Sequence, residues 1–278
     1  MMIAAMVFAS AGITATHALA QGTAADYPQR PIRILVGFPP GGATDILARI
    51  LAAHLAPAWG QQVVVDNRGG AGGTVGASIA AKATPDGYTL MMVPSGPFTI
   101  SVSTYEKLPY DAVKDFAAIS LLAWVTNAIV VPYTSPVHTL QDLIALAKAK
   151  PGQVTNSSSG NGSLHHLAGE VFKRLTGTSM VHVPFKGGGP ALVAIAGNEV
   201  TFGFASVPSA MPLIQAKRLR PIVVTSQKRS TALPDVQTRL AEMGAEPAGS
   251  SPNELAAQIA ADVKTWAKVA KEAGVRAD

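Results

Sequence analysis

The chain has 278 residues, 48% of them hydrophobic and 14% charged, with 26 Gly, 20 Pro and no Cys. That much apolar surface excludes an intrinsically disordered chain, and so low a charged fraction excludes a coiled coil. The absence of cysteine excludes a disulfide framework, a thiolate metal site and a cysteine nucleophile.

The net charge of +5 comes from 22 basic against 17 acidic residues. The basic residues are scattered. The tight groups, Lys217-Arg218 with Arg220 and Lys228-Arg229, have no aromatics interleaved for base stacking, which argues against nucleic acid as a partner. A mild positive field still attracts anions.

Residues 1–20 contain no Asp, Glu, Lys or Arg and end in Ala18-Leu19-Ala20 before Gln21. A short apolar run followed by an A-x-A site predicts a secretory signal peptide cleaved after residue 20. The chain is therefore expected to be exported, with no membrane span once cleaved.

Strand and helix patterns then alternate. Ile32 to Gly37 predicts a buried strand and Thr44 to Leu55 a helix with Ile46, Leu47, Ile50, Leu51 and Leu55 on one face. Val63 to Val65 and Tyr88 to Val93 predict strands on either side of a short helix, Gly76 to Lys82. A second series follows. Asn127 to Val131 is a strand, Thr139 caps a helix to Lys150, and Val154-Thr155 leads into a Ser/Gly/Asn loop. Leu164 to Thr176 is a helix and Met180 to Pro184 a strand. Pro190 opens a helix at its first position, which Gly197 ends. Val200 to Phe204 and Leu219 to Thr225 are strands, and Ser251 starts a final helix to Ala273. This β-loop-α order predicts an α/β fold of two lobes, each a mostly parallel sheet flanked by helices. The expected division is residues 26–126 plus 237–278 in one lobe and 127–236 in the other.

Four glycine-rich loops fall between a strand and a helix: Phe38 to Asp45, Asn67 to Thr74, Asn156 to Ser163 and Phe185 to Pro190. In open parallel sheets, ligands bind beyond the carboxyl ends of the strands, where such loops lie. Helix starts there present unpaired N–H groups and a partial positive charge, which suit a carboxylate, phosphate or sulfate. The Gly69 to Gly73 cluster is the weakest of the four as a ligand site, because tight helix–sheet packing also accounts for it.

Enzyme motifs fail. There is no P-loop, no G-x-S-x-G nucleophile elbow and no complete G-x-G-x-x-G. A dinucleotide oxidoreductase using Gly70 to Gly76 remains as an alternative, but Met92-Val93-Pro94-Ser95 lacks the acidic residue that should hold the ribose. His166 and Glu170 are spaced i, i+4 with no evident third ligand, so neither a metal nor another cofactor is expected. One of His165 and His166 is expected to face the cleft.

Several phrases together carry a resemblance. They are Tyr27-Pro28 with Arg30-Pro31-Ile32-Arg33-Ile34-Leu35-Val36-Gly37-Phe38-Pro39-Pro40-Gly41-Gly42 and Thr44-Asp45, then Val65-Asp66-Asn67-Arg68 with Gly70-Ala71-Gly72-Gly73, and Pro85-Asp86-Gly87-Tyr88-Thr89-Leu90. Ser158-Ser159-Gly160-Asn161-Gly162-Ser163, Val183-Pro184-Phe185-Lys186-Gly187-Gly188-Gly189-Pro190-Ala191, and Val224-Thr225-Ser226 with Lys228-Arg229-Ser230 complete the set. The sequence resembles the Bug family, the periplasmic substrate-binding proteins of tripartite tricarboxylate transporters.

The resemblance implies a two-lobed type II periplasmic binding protein that holds a small organic carboxylate between its lobes, with transporter membrane subunits as partners and a monomeric state. It assigns carboxylate contacts to Phe38, Pro39, Gly41, Gly42, Ala43, Thr44 and Asp45 in one loop. The opposing loop supplies Ser158, Ser159, Gly160, Asn161, Gly162, Ser163 and His165. Ser95, Lys186, Gly187 and Gly188 help to choose the ligand, as do Ala205 and Ser206, which stand where amine-binding relatives place an Asp. A plain or aromatic carboxylate is therefore expected in preference to an amino acid.

One departure stands out. After Leu233-Pro234-Asp235-Val236 the chain passes directly to Gln237-Thr238-Arg239-Leu240. That join reads as a fusion of two family phrases that loses a βα-sized piece of roughly 30 or more residues. It predicts lower stability than in a full-length relative, and it leaves a truncated, non-functional remnant as a further alternative.

Overall fold

The computed structural model describes residues 27–225 and 245–276. The expected signal peptide and the join at Val236–Gln237 lie outside the described residues. Among those described, no helix is long and apolar enough to cross a membrane.

Strand β1 (Ile32–Val36) is the middle of a three-stranded sheet, flanked in parallel by β2 (Val63–Asn67) and β3 (Thr89–Met92). It is apolar almost throughout because both of its faces are covered. Ile34, Val36 and Phe38 pack against Ala48 and Ala52 of α1 (Ala43–Trp59), which continues through Pro57 and stops at Gly60. Helix α2 (Thr74–Ala81) starts immediately after the tight Ala71–Gly73 turn. A wide turn, Gly96–Ile100, runs into the short helix α3 (Ser101–Thr104).

Strand β4 (Ala123–Val125) pairs antiparallel with β10 (Ala245–Pro247), a two-stranded ribbon that the sequence patterns did not anticipate. Next come β5 (Asn127–Pro132), α4 (Leu140–Ala149), β6 (Thr155–Ser158), α5 (Leu164–Thr176) and β7 (Val181–Pro184). They are followed by α6 (Gly188–Ala196), β8 (Phe202–Ser206), α7 (Val207–Gln215) and β9 (Leu219–Val224). The five strands form one sheet in the order β7-β6-β8-β5-β9. β6 runs parallel to β7 and β8, while β5 runs antiparallel to β8 and β9. Alternation along β5 puts Ala128 and Val130 with Leu192, Ile195 and Leu219 on one face. Ile129 and Val131 pack with Leu143, Phe202 and Phe204 on the other. Both faces again carry helices, so the strand reads as an unbroken apolar run.

The last helix, α8 (Pro252–Ala273), packs against the Gly96–Ile100 turn, α3 and α5. Ile100, Leu167, Ala270 and Val275 form one buried cluster there, which ties the two sheets' surroundings together.

Three local expectations are corrected. The Ser/Asn stretch after Val154 is strand rather than loop: Asn156, Ser157 and Ser158 are fully buried in β6. Period-2 polarity cannot reveal a central strand whose inward residues are themselves polar. Pro190 is the third residue of α6, because Gly188 and Gly189 already belong to that helix. Helix α7 follows β8 without a loop, and its two prolines and single polar face masked the helical period.

Candidate binding site

The carboxyl ends of β1 and β2 face those of β6 and β7, and between them lies a hollow of about 310 Å³. Phe38, the Gly70–Gly73 turn and Tyr105 line it from the first side. Ser159, Gly160 and Asn161, with Pro184, Phe185 and Lys186, line it from the second. Lys186 is the one charged side chain among the lining residues. The remaining lining residues are mostly glycine-rich turns, whose backbone a ligand can approach closely.

The two sides touch at the rim. A methyl group on Gly72 would stand 2.4 Å from the Asn161 carbonyl oxygen. Gly72 also has φ 63°, in the left-handed region that a side chain disfavours. Tyr105 Oη donates toward the carbonyls of Ala71, at 3.1 Å, and Asn161, at 3.4 Å. Pro39 fills the space above Gly69 and Gly187, closing the hollow's other wall.

The α1 start is organised around Asp45, which is 3% exposed. Its carboxylate accepts from the Gly41 amide at 3.0 Å, from Asn67 Nδ2 at 3.0 Å and from Arg49, with which it forms an ion pair at 2.9 Å. Burial alone would push this carboxyl up, but the hydrogen bonds from Arg49, Gly41 and Asn67 outweigh it and hold it below its ordinary value. A carboxylate of the chain itself thus takes the Gly41 amide.

The opposing loop rests on a polar cluster. The Gly160 amide donates to Ser158 Oγ at 3.1 Å, and Ser158 Oγ meets His182 Nε2 at 2.7 Å. His182 stacks on His166, ring centroids 4.1 Å apart and planes 9° apart. The Gly162 amide donates to His166 Nδ1 at 3.3 Å, which places that ring's own proton on Nε2, toward Glu170. Ser163 caps α5 by accepting from the His166 amide. Burial, reinforced by the neighbouring His166 and Lys173, pushes His182 down to about 4. Burial also lowers His166, against the opposing pull of Glu170.

Of the residues singled out in the sequence, the structure brings Phe38, Ser159, Gly160, Asn161 and Lys186 to the hollow's wall. Pro39 backs it. Gly42 caps α1, with Ala43 and Thr44 in its first turn. Ser158, Gly162 and Ser163 support the loop from beneath. His165 bonds Asn127 Oδ1 at 3.0 Å, and burial pushes it down to about 4. The Ser95 carbonyl accepts from Thr99 Oγ1 at 2.7 Å. Gly187 and Gly188 begin α6. Ala205 is buried in the core, and Ser206 Oγ bonds Ser209 Oγ at 2.7 Å. The Gly70–Gly73 turn, ranked last as a ligand site, lines the hollow. Tyr105 and Pro184 were not singled out, and Phe185 only as the start of the fourth glycine-rich loop, since no local pattern marks a side chain that reaches the cleft from an adjoining turn.

A larger hollow of about 440 Å³ lies at the opposite end of α5. Its charges are already engaged: Lys173 pairs with Glu170 at 2.6 Å, and Arg174 donates to the Glu272 carbonyl.

The chain is 39% identical to protein BugT of Bordetella pertussis over 83% of its own length and 71% of that protein's. Among solved structures, the R. palustris protein Rpa4515 with adipate superposes with a TM-score of 0.86 at 32% identity, over 90% of this chain and 99% of that one. The periplasmic binding protein BugD superposes with a TM-score of 0.85 at 28% identity, over 90% and 99%. Residues 47–272 match the family described as tripartite tricarboxylate transporter family receptor. With that match covering most of the chain and the fold following that of solved periplasmic binding proteins, the chain belongs to the TctC family of tripartite tricarboxylate transporter receptors.

Proposed function

We propose that this chain is a periplasmic receptor that captures a small organic carboxylate between two lobes, residues 26–126 plus 237–278 and residues 127–236, and releases it to the membrane subunits of a tripartite transporter. It works as a monomer and without turnover.

The observation that carries the reading is the hollow between the carboxyl ends of the two sheets, walled by glycine-rich turns from both sides and by one cation, Lys186. Carboxylate oxygens suit such a wall because a cation stands on it and glycine turns let an anion come close to backbone donors. On this reading the Gly70–Gly73 turn and the Ser159–Asn161 turn clasp the anion. The Gly41 amide plays a smaller part because Asp45 already occupies it. Phe38, Phe185 and Tyr105 supply apolar wall for the ligand's carbon skeleton. Adipate in the related Rpa4515 structure supports a carboxylate as the ligand class. Ala205 and Ser206 offer no carboxylate for an amine, which favours plain acids over amino acids.

Calorimetry of the purified protein against a panel of mono- and dicarboxylates tests this. The expected result is micromolar or tighter binding of at least one member, with the compound recovered unchanged. A folded protein that binds none of them would overturn the reading.

A further inference from the structure

We infer that Tyr105 is a cross-cleft latch: its hydroxyl, anchored beside the Gly72 turn, holds the closed arrangement by bonding the Asn161 carbonyl of the opposing loop. The inference rests on the reading that the two halves open and close around a ligand.

Tyr105 follows α3 and so moves with the three-stranded sheet's half. Ala71, its nearer acceptor at 3.1 Å, belongs to the same half. Asn161, at 3.4 Å, lies on the loop after β6 in the five-stranded half. One phenolic proton therefore sits between two carbonyls that can be neighbours only when the halves are together. The approach is possible because Gly72 has no side chain: a methyl group there would stand 2.4 Å from that same Asn161 oxygen. A second close approach lies beside it, with the Gly160 Cβ direction ending 3.3 Å from the Gly72 amide nitrogen. The bond lies at an exposed part of the rim, where both acceptor residues meet solvent, so its contribution is that of a solvent-accessible hydrogen bond.

The bond exists only in the closed form, so it biases the open–closed equilibrium instead of adding to uniform ligand contact. Its loss should lower the closed-to-open ratio about 2-fold, the low end for one net hydrogen bond, because the contact is long, exposed and shared with the nearer Ala71 carbonyl. Ligand release should quicken by a similar factor while capture changes little.

The chain has no cysteine, so two introduced ones can carry dyes without background. Val64→Cys on β2 and Leu175→Cys on α5 are exposed positions in the two halves. Single-molecule energy transfer would be read in buffer and in adipate, for the labelled parent, Tyr105→Phe, Gly72→Ala and the double variant, with melting followed by circular dichroism. The expected outcome is a closed population in the parent that falls in Tyr105→Phe at unchanged melting temperature. It should fall further in Gly72→Ala. In the Gly72→Ala background Tyr105→Phe should then have no additional effect, because the acceptor has moved out of reach. A closed population equal in parent and Tyr105→Phe, or absent from both, overturns the latch. So does a Tyr105→Phe effect that persists undiminished beside Gly72→Ala. A parent that binds no carboxylate in calorimetry sinks the ligand reading instead, and the two failures are read from separate measurements.

Discussion

His166 on α5 and His182 on β7 lie face to face, with ring centroids 4.1 Å apart and an interplanar angle of 9°. Two imidazolium rings cannot share that geometry, so the pair is built for the neutral state. His182 takes a proton only near pH 4 in the fold, against an ordinary 6.5, and His165 behaves alike.

Stability should therefore be complete above about pH 6.5 and fall toward pH 4, levelling below it. The sign follows from linkage: the unfolded chain takes up protons from about 6.5 downward, while the fold refuses them until about 4, so acid favours unfolding. The melting temperature by calorimetry should drop by about 5 °C or more between pH 7 and pH 4.5. The variant His182→Gln, which cannot charge, should show a flatter profile. Burial lowers His166 as well, so carboxylate affinity should hold while that ring stays neutral and fall only once protonation of Nδ1 removes the acceptor of the Gly162 amide.

Lys186 is the single charged side chain on the wall of the hollow. Lys186→Ala should weaken binding of a carboxylate by about tenfold and flatten its salt dependence, since the remaining donors are backbone dipoles. Calorimetry at low and high salt reads both effects. Unchanged affinity would place the carboxylate elsewhere in the hollow.

Asp45 holds the Gly41 amide, Asn67 and Arg49 at once. Asp45→Ala strands those donors and should cost about 2 kcal/mol, moderated because Arg49 is half exposed. Urea unfolding measures it. If the anion sits against the other turns, as proposed, the freed Gly41 amide should leave carboxylate affinity within about threefold of the parent.

Gly76 packs α2 directly on the end of β1: a methyl group there would lie 2.6 Å from Gly37 Cα. Backbone is a poor neighbour to displace, so Gly76→Ala should destabilise by about 1–3 kcal/mol, despite the better helix propensity of alanine. A melting temperature equal to or above the parent's would show that α2 can retreat freely.

Much of the architecture was legible along the chain. Apolar runs such as Ile32–Val36 and Asn127–Pro132 announced strands because covered sheets need no alternation. Thr139 and Ser251 announced helix starts because each side-chain oxygen accepts from an amide within three residues, a strictly local bond. The glycine-rich loops after strands contribute residues to the wall of one hollow. What local pattern could not decide was which turns meet. Asn156 to Ser158 look like loop chemistry, yet they lie buried, with Ser158 reaching a histidine 24 residues away. Tyr105 looks like a surface aromatic, yet its hydroxyl reaches a carbonyl 56 residues away. The Gly70–Gly73 turn reads as packing, and it is both packing and wall. Hydrogen-bond partners and apolar neighbours close in sequence are chosen by residue type and spacing, so the chain alone specifies its elements and their caps. The facing of two sheets' carboxyl ends depends on how separate cores pack around α8, and only the folded arrangement of those distant parts fixes the hollow and its rim.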